Sequence, residues 1–156
     1  MKQRVVSLSD FGPAENMSLI EADIPTPGNG QIVVKNNAIG LNYLDTYFRS
    51  GLYPWPNNND IKIPGSEGVG YIHAVGSDVL DFKEGDRVSY VTPVGAYAEY
   101  AIINAAHAAK INVEVEDHDV VACTLKGLTT HYLLHLTTKV TPVSYTHLRA
   151  HETDTD

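Results

Sequence analysis

At 156 residues, 43% hydrophobic and 19% charged, the chain is long enough for one compact core and too short for two ordinary domains. A net charge of -8 with no run of Lys or Arg excludes a nucleic-acid binder, which needs clustered positive charge to displace phosphate counterions, and disfavours an anionic membrane surface. The single cysteine, Cys123, excludes an internal disulfide, and no stretch reaches a signal-peptide core or the ~20 apolar residues of a membrane helix, so the expectation is a cytoplasmic protein with no membrane partner.

In chain order, Arg4–Leu8, Ser18–Ala22 and Gln31–Ala38 are rich in Val, Ile and Leu, and the last follows the turn signal Gly28-Asn29-Gly30. Asn42 to Ser50 reads as a helix, with Asn42 as N-cap, Asp45 three residues on and Gly51 as the stop. Strands are expected again at Gly70–Val75, Arg87–Thr92, Tyr97–Ile103 and Ala108–Ile111, separated by Gly76-Ser77-Asp78 and Lys83-Glu84-Gly85-Asp86. Many short strands at this spacing suggest a partly open barrel or a sandwich. From Asp117 to Thr138 the pattern turns helical: Val120, Val121, Leu125, Leu128, Tyr132 and Leu133 can share one side, and Gly127 marks a break or close contact. The final stretch, Ser144 to Asp156, continues no pattern and resembles a translated adapter sequence, so 143–156 is read as a non-native tail.

Four segments carry chemistry: Ala38-Ile-Gly-Leu-Asn-Tyr-Leu-Asp-Thr-Tyr-Phe-Arg-Ser-Gly-Leu-Tyr53, Pro64-Gly-Ser-Glu-Gly-Val-Gly70, Phe82-Lys-Glu-Gly-Asp-Arg-Val88 and Leu125-Lys-Gly-Leu-Thr-Thr-His-Tyr-Leu-Leu134. In order and spacing they resemble the N-terminal half of the zinc-independent quinone oxidoreductases of the medium-chain dehydrogenase/reductase superfamily, and the likeness runs to about Pro142. The resemblance implies a mainly β fold with short helices, the GroES-like partly open β-barrel, with the Rossmann domain missing. It implies a catalytic domain over 1–124 and the start of a helical bridge to the absent cofactor domain over 125–142. It also implies NADPH as cofactor, a small-molecule quinone or conjugated carbonyl as substrate, and a homodimer for the longer enzyme. Because most cofactor contacts would lie in the missing domain, turnover by this chain alone is not expected.

Residue by residue, the resemblance places Asn42 and Asp45 at the nicotinamide edge, Thr129 and Lys126 near the cofactor, and Tyr47 and Tyr53 as the catalytic lining of the substrate cleft. The residues also have plainer readings. Asn42 and Asp45 have the spacing of a helix capping pair, Tyr47 and Tyr53 are two of 9 tyrosines, and a lysine on a helix is usually just solvated. Zinc-dependent relatives carry a cysteine at the position of Asn42 and a histidine at that of Ser66, and four cysteines for structural zinc. Neither ligand set exists here, so no metal is expected. His131 and His135 have chelating i, i+4 spacing, but the glutamate of the metalloprotease motif is absent. Gly68-Val-Gly70 begins like a dinucleotide fingerprint, yet His73 stands at the third glycine position. Two other readings of the chain are a zinc alcohol dehydrogenase relative and a non-enzymatic GroES-like binding or co-chaperonin module.

Overall fold

The computed structural model describes residues 1–137. Alternation of apolar and polar side chains builds its sheets. In β1 (Lys2–Leu8), Gln3, Val5 and Leu8 are buried, and the strand pairs antiparallel with β2 (Met17–Asp23) from Lys2 opposite Asp23 to Leu8 opposite Met17. The second sheet joins β3 (Gln31–Gly40), β4 (Glu67–Val75), β5 (Arg87–Val91), β6 (Tyr100–Asn104) and β7 (Ala108–Lys110) in the order β6-β3-β4-β5-β7, every pair antiparallel. Its two edge strands, β6 and β7, do not pair with each other, so among the described residues the sheet stays open, as expected.

Ile32, Val34, Ile72, Val88, Tyr90, Ala96, Ala101 and Ile103 form the main core of this sheet, and Val5, Ala22 and Ala98 form a smaller one beside β1. Each fully buried Val or Ile contributes on the order of 1.5–3 kcal/mol relative to exposure. A register shift between Asn36 and Ala38 in β3 leaves Asn37 out of the β4 pairing, and its side chain instead donates to Asp117 Oδ2 at 2.7 Å.

Two strands begin three residues away from where the residue pattern suggests. β4 starts at Glu67, three residues early, because Glu67, Gly68 and Val69 pair with Gly40, Ile39 and Ala38 on one side and with Val91, Tyr90 and Ser89 on the other. β6 starts at Tyr100 rather than Tyr97, since Tyr97 N–H donates to Pro64 O and Glu99 N–H to Arg4 O, outside the sheet. Helix α1 (Tyr43–Ser50) follows the capping logic. Gly51 closes it in the left-handed region at φ 78°, and a side chain there would meet the Phe11 ring at 3.3 Å. Helix α2 (Asp117–Tyr132) passes into a π-helical turn at Leu133–Thr137, while Thr138, Pro142 and the 143–156 tail lie outside the described residues.

The chain divides into two compact units, Met1–Leu125 and a second that begins at Lys126. No helix among the described residues is long and apolar enough to cross a membrane.

Candidate functional site

The start of α1 gathers the buried polar side chains of Asn42, Asp45, Ser66 and Glu67. Asn42 is extended (φ -128°, ψ 152°) and buried, and its N–H donates to Asp45 Oδ2 at 2.9 Å, the returning half of a capping box. Asp45 is itself 6% exposed and accepts two further hydrogen bonds, from Ser66 Oγ to Oδ1 at 2.6 Å and from Tyr97 Oη to Oδ2 at 2.9 Å. Burial first, then the hydrogen bond and charge of Asp45, push the Tyr97 phenol above the usual tyrosine value.

Glu67 extends the cluster. Its carboxylate is fully buried, accepting from Asn42 Nδ2 on Oε1 at 2.7 Å and from the Leu125 backbone N–H on Oε2 at 2.8 Å. A buried carboxylate is tolerated only with such charge-assisted partners. Room for it comes from Gly40, where an added Cβ would lie 2.2 Å from Glu67 Oε1. One carboxylate from β4 thus ties the cap of α1 to the backbone of α2.

On the other side of α1 is an aromatic ridge. The Tyr47 and Tyr53 rings lie 5.4 Å apart at 53°, Tyr53 N–H donates to Tyr47 O at 3.1 Å, and Tyr43 packs on Tyr47 at 6.1 Å. Phe48, buried under the helix, meets Tyr53 and Trp55 edge-on at 5.7 and 6.2 Å. Tyr47 is half-buried and Tyr53 exposed, so the ridge offers ring surface and phenolic donors to a ligand.

The structure therefore brings Asn42 to Asp45 and Tyr47 to Tyr53. Lys126 and Thr129 belong to the second unit, on exposed turns of α2, where the Lys126 carbonyl accepts from Thr130 Oγ at 2.9 Å. In the same unit the His131 and His135 rings are 4.8 Å apart, and among the described residues no group of three or more His, Cys, Asp or Glu could hold a metal ion.

Three participants carry no direct site signal in the residue pattern: Tyr97, the Leu125 N–H and Glu67. Glu67 reads from its neighbours as a turn residue before a strand, whereas it opens β4. The available signal was a carboxylate among glycines in an otherwise apolar stretch, which requires partners.

Residues 28–113 match the alcohol dehydrogenase GroES-like domain. A probable quinone oxidoreductase of Schizosaccharomyces pombe is 41% identical over 135 residues, covering 86% of this chain and 40% of its own length. The crystal structure of a quinone oxidoreductase from Pseudomonas syringae pv. Tomato DC3000 superimposes with a TM-score of 0.84 at 42% identity, over 90% of this chain and 43% of that one. The Escherichia coli quinone oxidoreductase complexed with NADPH gives 0.77 at 34% identity, over 91% and 43%. The chain thus spans less than half the length of the proteins it matches.

Proposed function

This chain belongs to the alcohol dehydrogenase GroES-like domain family, and on that premise we propose that it is the substrate-side domain of an NADPH-dependent reductase of quinones and related conjugated carbonyls that works without metal. The observation that carries this reading is the tilted Tyr47–Tyr53 pair on a helix anchored from behind by two buried carboxylates. Likeness to quinone oxidoreductases over 86–91% of the chain supports it.

A planar quinone is well matched to the Tyr47 and Tyr53 rings, and a phenolic O–H donates to its carbonyl oxygen where negative charge develops. The Asp45 and Glu67 contacts hold α1 at a fixed height and angle, so those donors are placed before the substrate arrives. Asn42 and Asp45 are the residues of this domain assigned to the nicotinamide edge, with Thr129 and Lys126 assigned to the cofactor from the second unit.

The donor chemistry supports the metal-free part of the reading. Asn42 and Ser66, at the positions of zinc ligands in zinc-dependent relatives, are an amide and a hydroxyl, each hydrogen-bonded to a neighbouring carboxylate. Zinc is held by thiolate, imidazole and carboxylate.

NADPH is the hydride source in this reading, but its pyrophosphate does not fit the described residues. α1 carries Asp45 in its first turn, and α2 carries Asp117 and Asp119. A carboxylate at a helix start repels the phosphate that a bare N-terminus attracts. The phosphates are therefore assigned to residues outside those described, and this chain alone is expected not to consume NADPH.

A chimera tests the reading. Residues 1–137 of this chain replace the matching region of the Escherichia coli quinone oxidoreductase, and NADPH oxidation is followed with a naphthoquinone. Activity is expected, and Tyr47→Phe with Tyr53→Phe should lower kcat/KM by roughly tenfold or more while leaving the melting temperature unchanged. A folded chimera that binds NADPH yet reduces no quinone overturns the proposal.

A further inference from the structure

A cavity of about 420 Å³, lined by no residue of α1, opens between β1, the end of β2, the 55–63 loop and β6. Its size falls within the roughly 300–1,000 Å³ of small-molecule sites. The proposed reductase chemistry makes no use of it.

Its wall contains a polar group where the strand pattern calls for an apolar one. Gln3 occupies an inward position of β1 and is 4% exposed. The Tyr100 N–H, 2.8 Å from Gln3 Oε1, fixes the orientation of the amide. Gln3 Nε2 then makes a single long contact, 3.4 Å to the Asp23 carbonyl, so one of its two N–H donors has no partner among the described residues. Burying an amide with donor capacity to spare costs stability.

The loop wall is also pre-set. Asn57 Oδ1 accepts from the Trp55 indole N–H at 3.2 Å and from Asn59 N–H at 3.1 Å. With its N–H committed, what Trp55 contributes to the cavity is ring surface. Phe48 and Phe11 pack on that ring with centroids 6.2 and 6.3 Å away.

The charges on the wall all have one sign. Asp23 and Asp60 line the cavity, and no Lys or Arg does. Lys2 neutralises Asp23 at 3.0 Å, whereas Asp60 has no ion pair among the described residues. A net charge of -8 on the chain reinforces the local potential.

We propose that this cavity binds a small primary amine carrying an aromatic ring and an oxygen acceptor: ammonium to Asp60, ring against Trp55, oxygen to Gln3. A carboxylate and an indole ring lining one cavity favour an organic cation over a neutral or anionic ligand of the same shape. The spare Gln3 donor asks for an acceptor on the same molecule.

Three probes that share one phenol ring separate the possibilities: tyramine (cation), 4-(2-hydroxyethyl)phenol (neutral) and 4-hydroxyphenylacetate (anion). Each is titrated into the purified chain, following the emission of Trp55, its one tryptophan, and the side-chain amide resonances of Gln3, Asn57 and Asn59. Saturable tyramine binding at least about tenfold tighter than either other probe is expected, with shifts centred on those amides. Asp60→Asn, on the exposed loop, should bring tyramine affinity down to that of the neutral probe with the melting temperature unchanged. Equal affinity for the three probes, no saturation with tyramine, or shifts centred elsewhere overturns the proposal. Should Asp60→Asn fail to fold, the ranking of the probes on the unaltered chain decides the matter by itself.

Discussion

Two buried polar clusters sit a few residues apart on β3 and β4, and they differ in charge. In the sheet core, Tyr90 Oη donates to Asn36 Oδ1 at 2.9 Å, and Asn36 Nδ2 donates to the Ala98 and Ala96 carbonyls at 2.9 and 3.2 Å. Every member is neutral, and burial pushes the Tyr90 phenol well above its ordinary value. Under α1, by contrast, Asp45 and Glu67 are linked through Asn42 and reach Ser66, Tyr97 and Leu125. A neutral cluster is the inexpensive way to satisfy strands that meet inside a core. Burying carboxylates costs far more, so they occur where a backbone end needs a strong acceptor or where something must be held still. The charged cluster holds the start of α1, the helix that carries Tyr47, and the neutral one holds the backbone on either side of Tyr97.

The largest effect expected follows from removing the charged cluster's central acceptor. Glu67→Ala leaves the Asn42 amide and the Leu125 N–H without it and should cost about 3 kcal/mol in urea unfolding. Gly40→Ala alone should cost about 2 kcal/mol, because its Cβ would fall 2.2 Å from Glu67 Oε1. In the Glu67→Ala background the same change should be nearly neutral. Additive costs would mean that Gly40 is not there to admit the Glu67 side chain.

A smaller loss is expected in the neutral cluster. Tyr90→Phe deletes one donor from Asn36 while keeping the ring, at about 1–2 kcal/mol. A loss as large as that of Glu67→Ala would erase the distinction between the clusters.

The smallest effect belongs to a third, partly exposed contact, in which Asp117 accepts from Asn37 at 2.7 Å and from Arg87 at 2.6 Å. The Asn37 hydrogen bond first, then Arg87, hold the Asp117 carboxyl below its ordinary value. A carboxyl depressed by folding stabilises the protein above its unfolded pKa, near 3.9, and that contribution is lost as the pH falls toward the folded value. The difference in stability between the native chain and Asp117→Asn should therefore be about 1 kcal/mol at pH 7 and shrink below about pH 4. A constant difference across that range would show that charge is not what the contact supplies.

The amino-acid sequence by itself determined what neighbours along the chain can encode. Runs rich in Val, Ile and Leu between turn signals marked most of the strands. Asn42, Asp45 and Gly51 marked both ends of α1, because an N-cap, its reciprocal carboxylate and a left-handed stop all act within one or two turns. The four ordered segments pointed to the fold family and to Tyr47, Tyr53, Asn42 and Asp45 as the residues to examine. Tertiary structure alone decided which groups those residues meet. Glu67 reaches Asn42 across 25 positions and Leu125 across 58, while Tyr97 reaches Asp45 across 52. Sheet order, the early start of β4 and the short β6 were likewise decided there, by partners on other strands. Spacing in the chain cannot specify such pairs, since a carboxylate requires only some buried donor, and which donor it finds depends on how the strands and helices are packed.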